Sequence, residues 1–198
     1  MLRVQPSFGP ADYRNFSVHF ARYKFASRVL VGNARSVLDY GCGTGYGSAF
    51  LASEGFDVTG TDIAQGSLQA AWNGLYDSEN LRFERIESAM SINRRYDAVV
   101  SFEVVEHIPI DGISEYFSDI LRVLNKDGLY IGSTPRALPF HERSENRQRH
   151  HVQEFSENEY RALLLEHFKK VIILSQNDST ISDQSEKMAW NYFCICWN

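Results

Sequence analysis

An α/β fold is predicted, built on a doubly wound, mostly parallel sheet of seven strands with an antiparallel last strand, in one domain over residues 1–198. Three features predict it. Apolar runs of strand length alternate with helical patterns five times along the chain. The first such run ends in a glycine-dense turn. The last two strands follow one another with no helix between them, which makes them antiparallel neighbours.

The elements follow in order. Phe16, Phe20, Tyr23, Ala26 and Val29-Leu30 recur at helical steps, predicting a helix over Ala11–Val31. Strand one is Ser36–Asp39, and a helix over Tyr46–Ser53 follows, with Gly55 as its stop. Strand two is Val58–Thr61, and the next helix is expected from Ala64 to Tyr76. Strand three is Leu81–Ile86. Strand four is Asp97–Phe102, whose continuous apolar centre fits burial on both faces. Asp111 is placed to cap a helix running to Leu124. Lys126-Asp127-Gly128 reads as a turn into strand five, Leu129–Ser133. Ser156 with Glu159 is a capping-box pattern for a helix reaching Phe168. Strand six is Val171–Ser175. A polar loop, Asn177–Lys187, leads to the last strand, Tyr192–Trp197.

Composition narrows the function. Hydrophobic residues make up 43% of 198 residues, enough for a core. No apolar run is long enough to span a bilayer, and MLRVQPSFGP lacks the apolar stretch of a signal peptide. A cytoplasmic protein without a membrane partner is expected. The three cysteines, Cys42, Cys194 and Cys196, form no disulfide framework. A net charge of −5 disfavours broad nucleic-acid binding.

The chemistry concentrates in Ser36–Gly47, SVLDYGCGTGYG, and in TGTDI at Thr59–Ile63. Glycine tolerates positive φ and lets a ligand approach the backbone closely. Such a turn after a strand, with an acid closing the next strand, suits a ribose-bearing ligand at the carboxyl ends of a parallel sheet. The dinucleotide fingerprint fails because Tyr46 stands where its third glycine belongs, and no G-K-[ST] is present. A nucleoside without phosphates fits better.

In these motifs the chain resembles the class I S-adenosylmethionine-dependent methyltransferases. LDYGCGTGYGS is similar to their glycine-rich first motif, TGTDIA to the second-strand acid motif, YDAVVSFEVVEHI to the fourth-strand motif and LRVLNKDGLYIGSTP to the helix and fifth strand. The resemblance covers about residues 16 to 197. VHFARYKFA and RHHVQEFSENEYRALLLEHF further resemble a bacterial group tied to sugar-modifying pathways. It implies S-adenosyl-L-methionine as cofactor. Gly41, Cys42, Gly43 and Gly45 would meet its methionine part, with Asp39 beneath the turn. Asp62 would accept from the ribose hydroxyls, and Ile63 would pack on adenine. Glu87 and Ser88 would stand near the adenine amine, Phe102 and Glu103 would form the floor, and Arg22 would face the carboxylate.

For the methyl acceptor, two stretches stand out. Glu103, Glu106 and His107 share a face if their segment turns helically. Pro135–His151 is a long connection with four arginines and three histidines, expected to form a binding loop or lid. His107 or His151 could take a proton from an acceptor hydroxyl, with Glu103 beside them and the arginines holding an anionic or sugar-containing small molecule. Alternatively Glu103, Glu106, His107 and His151 bind a divalent metal, since E-x-x-E-H with a distant histidine resembles the small-RNA 3′-terminal 2′-O-methyltransferases. A third possibility is a pocket that binds the cofactor without turnover. His141 is the least suited of the histidines.

Overall fold

The structure is a computed structural model that describes residues 10–70, 76–183 and 188–198. Helix α1 (Pro10–Leu30) leads into strand β1 (Ser36–Tyr40), helix α2 (Tyr46–Ser53), strand β2 (Asp57–Asp62) and helix α3 (Gln65–Ala70). The remainder of the helix expected after β2 falls partly at 71–75, outside the described residues. Strands β3 (Leu81–Arg85) and β4 (Tyr96–Phe102) precede helix α4 (Ile113–Val123) and strand β5 (Leu124–Pro135). Helices α5 (Glu145–His150) and α6 (Glu157–His167) follow, then strands β6 (Lys170–Asn177), β7 (Thr180–Ser182) and β8 (Asn191–Trp197).

The strands form one sheet in the order β3-β2-β1-β4-β5-β8-β6-β7. Strands β1 to β5 pair in parallel, and β8 runs antiparallel between β5 and β6. The expected antiparallel last strand is therefore present, inserted into the sheet rather than added at its edge. An eighth strand, β7, is the difference from the predicted seven. It lies inside the expected polar loop, where Asp178 takes φ 53 and lets the chain fold back from β6. Two apolar layers sandwich the sheet. One packs Phe117, Ile120, Tyr160 and Leu164 of α4 and α6 against Val99 and Tyr130. The other packs Tyr23, Ala26 and Leu30 of α1 and Leu51 of α2 against Val37, Val100 and Ile195. Strand β4 contributes to both layers, as its apolar run requires.

Three local expectations are corrected. Asp111 lies in a single 3-10 turn, and α4 begins after Gly112 without a side-chain cap. Lys126-Asp127-Gly128 does not separate α4 from a later strand. It is an excursion within β5, which pairs at Leu124 with Tyr96 and resumes at Leu129 opposite Ala98. Asp97 organises that excursion by accepting from Asn125 Nδ2 at 2.8 Å and from the Arg35 and Ser36 amides. The loop after β5 is not irregular throughout, because Ser144 accepts from the Arg147 amide and caps α5. The capping box of Ser156 and Glu159 is formed as expected. Among the described residues, no helix is long and apolar enough to cross a membrane.

Candidate active site

The parallel strands all point their carboxyl ends toward one side, where a cavity of about 440 Å³ opens. Its size is that of a small-ligand site. The glycine turn forms one wall. Gly41, Gly43 and Gly45 all take positive φ, at 83°, 58° and 82°. A side chain at Gly41 would also strike Val104, whose Cγ2 would stand 2.5 Å from the added Cβ. The turn is anchored to β2, because the Gly41 and Cys42 amides both donate to the Thr61 carbonyl.

Asp62 closes β2 at the cavity wall. One carboxylate oxygen accepts from the Gly43 amide at 2.9 Å, and the other accepts from the Ala64 amide at 2.7 Å. Asp62 thus joins the glycine turn to the start of α3. An ionised carboxylate offers about four acceptor positions, so two remain for a diol. Ile63 and Glu87 also line the cavity, and Ile63 is 63% exposed. Ser88 does not line it: its hydroxyl accepts from the Met90 amide and donates to Asp119. Asp39 also lies behind the cavity wall. Its oxygens accept from Ser48 Oγ at 2.6 Å and Tyr23 Oη at 3.3 Å. Burial, partly offset by those two donors, raises its pKa to about 7.

Phe102 and Glu103 end β4 at the cavity floor. Glu103 is held at φ 58, a left-handed backbone that a non-glycine side chain adopts only under constraint. Its carboxylate accepts from Ser133 Oγ and Asn191 Nδ2, both at 2.8 Å, and lies 3.3 Å from Arg22 Nη1. Burial acts to raise its pKa, but Arg22 and His19 hold it below the usual range. These bonds place Glu103 in the role of a fixed anion. Arg22 is fully buried rather than solvated, and also donates from Nε to Gln176 Oε1 at 2.7 Å. The cavity residue on that side is instead His19, one turn earlier on α1. Sequence reading missed it, although His19, Arg22 and Tyr23 stand at i, i+3 and i+4 and so share a helix face.

Tyr40, Val104, His107 and Ile108 also line the cavity. His107 Nδ1 lies 2.7 Å from the His150 carbonyl, so Nδ1 carries the proton and Nε2 keeps its lone pair. Burial, opposed by that bond, lowers the His107 pKa. The His151 ring meets it edge-on at 5.3 Å. His151 Nδ1 lies 2.9 Å from Glu154 Oε1, to which it donates. Glu106, His107 and His151 can bring one ligand atom each within 4.8 Å of one another. Glu106 is fully buried, and its Oε1 has no hydrogen-bond partner. Burial first, then Glu103, raises its pKa well above the usual range. Glu103, expected in the metal set, is absent from this group because its oxygens are taken elsewhere.

Two of the loop arginines are committed: the buried Glu154 pairs with Arg143 at 3.2 Å and with Arg147. Arg149 pairs with Glu145 at the surface, where both side chains are largely exposed. His141 is 82% exposed and far from this chemistry, as expected.

A parallel sheet with a glycine turn after one strand and an acid closing the next places this cavity in the nucleoside-binding class of α/β proteins. The family described as "Methyltransferase domain" matches residues 17–171, and the chain belongs to it. Its fold and matched motifs are those of the class I S-adenosylmethionine-dependent methyltransferases. One relative is a ubiquinone biosynthesis O-methyltransferase of Rickettsia canadensis, 30% identical over 102 residues, which are 50% of this chain and 42% of that protein. Another is a probable S-adenosylmethionine-dependent methyltransferase of Mycolicibacterium smegmatis, 29% identical over 70% of this chain and 51% of that protein. The matches thus span about half the length of these curated relatives. Magnesium protoporphyrin IX methyltransferase from Synechocystis PCC 6803 with bound SAH shares the fold. It has a TM-score of 0.71 and 16% identity, over 98% of this chain and 90% of that one.

Proposed function

We propose that this enzyme methylates a hydroxyl oxygen of a small molecule, with His107 receiving the hydroxyl proton. The observation that carries this is the fixed tautomer of His107. Its Nδ1 is spent on the His150 carbonyl, and its lowered pKa leaves the ring neutral at pH 7. A neutral imidazole with a free Nε2 at the cavity edge is a competent general base. Bound S-adenosylmethionine supplies an electrophilic methyl on a positive sulfur. Asp62 would hold the ribose hydroxyls, Ile63 and Ile86 the adenine, and Phe102 and the glycine turn the methionine chain. Those contacts align the methyl for in-line displacement, an effect that lowers the barrier by orientation. Glu103 would contribute a fixed negative charge near the sulfur. His151, held by Glu154, would keep His107 in place from the far side. The O-methyltransferase names among the relatives support oxygen as the methylated atom. With Arg143 and Arg147 bound to Glu154, the acceptor need not be anionic, and a neutral phenol or sugar fits the partly apolar wall of Tyr40, Val104 and Ile108.

A second reading has one specific observation behind it. Glu106, whose buried Oε1 has no hydrogen-bond partner among the described residues, stands with His107 and His151 in a group that can offer one ligand atom from each residue within 4.8 Å of one another. A divalent cation there could activate a hydroxyl, as metal-dependent RNA 2′-O-methylation would need. Methyl-labelled S-adenosylmethionine separates the readings when offered with phenols, sugars or short RNAs, with and without EDTA. The first reading expects label in a small-molecule hydroxyl, unaffected by EDTA. It also expects a kcat about 100-fold lower in His107→Ala, with S-adenosylhomocysteine affinity unchanged. Label entering RNA only when manganese is present would contradict it.

A further inference from the structure

His19 is the polar residue of the cavity that the account so far leaves without a task. It lines the cavity from α1, beside Tyr23 and Tyr46 and across from Glu103. Its Nδ1 lies 3.1 Å from Arg22 Nη1. A guanidinium can only donate, so Nδ1 must accept. Burial first, and then Arg22, lower the His19 pKa to about 4, so the ring is neutral at pH 7. A neutral ring whose Nδ1 accepts must carry its proton on Nε2. That N–H is therefore a fixed donor, and the ring is only partly buried. It is the opposite tautomer to that of His107. Glu103 accepts from Ser133 and Asn191 and pairs with Arg22, and among the described residues it forms no hydrogen bond with His19.

We propose that His19 is a specificity residue of the donor pocket: its Nε2–H, oriented by Arg22, donates to the carboxylate of the amino-acid tail of the bound nucleoside. This rests on S-adenosylmethionine as the ligand. The position supports the tail over the nucleoside, since Asp62-Ile63 and Glu87 follow β2 and β3 on one side of β1, whereas Glu103, whose charge acts on His19, follows β4 on the other side. Arg22 behind the ring polarises the N–H toward the ligand. A carboxylate is the ligand group that gains most from such a donor.

The test compares two ligands that share the nucleoside and thioether but differ in the tail. S-adenosylhomocysteine has the amino acid, and 5′-methylthioadenosine ends in a methyl. Both are titrated calorimetrically into the wild-type protein, His19→Ala and His19→Gln, each first checked for a cooperative thermal transition. Among the described residues His19 makes a single hydrogen bond, so both variants should fold. Expected is a loss of S-adenosylhomocysteine affinity of about tenfold or more in His19→Ala, with 5′-methylthioadenosine unchanged within twofold. His19→Gln, which keeps an N–H donor, should recover part of the loss. Equal losses for the two ligands, or no loss for S-adenosylhomocysteine, would overturn the proposal; the latter result would assign the N–H to the acceptor. A wild-type protein that bound neither ligand would instead overturn the donor pocket itself.

Discussion

At the residue scale, each histidine of the site is defined by what holds its Nδ1. A carbonyl holds that of His107, a carboxylate that of His151 and a guanidinium that of His19. The first two partners only accept, so each takes an N–H from Nδ1, and the lowered pKa of His107 leaves a lone pair on its Nε2; the third only donates, so the proton of the neutral His19 ring sits on Nε2. One residue type thereby supplies both a base and a donor to the same cavity. Asp39 shows the opposite economy, a carboxylate used wholly for structure. It links Tyr23 of α1 and Ser48 of α2 beneath the glycine turn. Its folded pKa of about 7 lies above the value of 3.8 for an unperturbed aspartate. Between those values the folded state binds the extra proton, so this group's contribution to stability is full below about pH 4. It is lost as pH rises toward 7. A shift of this size corresponds to roughly 4 kcal/mol. Asp39→Asn removes the titration, so its stability relative to wild type should rise from pH 4 to pH 7 in urea melts. A constant difference across that window would contradict the assignment.

At the element scale, α1 forms the side of the site opposite the β5–α6 loop. Its anchor is Arg22, which ties it to Glu103 at the end of β4 and to Gln176 of β6. Removing one partner of a buried ion pair leaves the other unpaired and costs about 3–5 kcal/mol. Arg22→Met should therefore lower unfolding stability by about 3 kcal/mol. Arg22→Met combined with Glu103→Gln should recover part of that loss in the same denaturant series, and a double variant no better than the single would place the cost elsewhere. This anchor was not legible in the sequence. Helical spacing shows that His19, Arg22 and Tyr23 share a face, but not that Glu103 takes a left-handed backbone toward it. The β5–α6 loop was legible as a long functional segment, yet its arginines read as free cations. Glu154, which pairs with two of them, lies three residues past the expected loop end, and no periodicity links them. Capping chemistry gave mixed guidance for the same reason. Ser156 and Glu159 satisfy each other locally and were readable, whereas Asp111 lost its helix start to a 3-10 turn.

At the scale of the whole molecule, topology decides where chemistry can occur. Strands β1, β2 and β4 are adjacent and parallel, so the glycine turn, Asp62 and Phe102-Glu103 arrive together at one edge. Alternating strands and helices made this arrangement readable in advance, because parallel pairing is the usual solution for that order. The place of β8 was less readable. Its burial between β5 and β6, with Cys194 and Cys196 inside the core, is a long-range pairing that local pattern leaves open. The glycine-turn side of the cavity follows from local motifs on consecutive elements, while the side at His107 is assembled from segments far apart in sequence, such as His107 and His151. The central claim is that Asp62 and the glycine turn form the donor pocket. Calorimetric titration of S-adenosylhomocysteine into wild type and Asp62→Ala tests it most directly. Losing two hydrogen bonds to a charged acceptor should weaken binding by about 100-fold. Equal affinity in the folded variant, or no binding to the wild type at high micromolar ligand, would contradict the account.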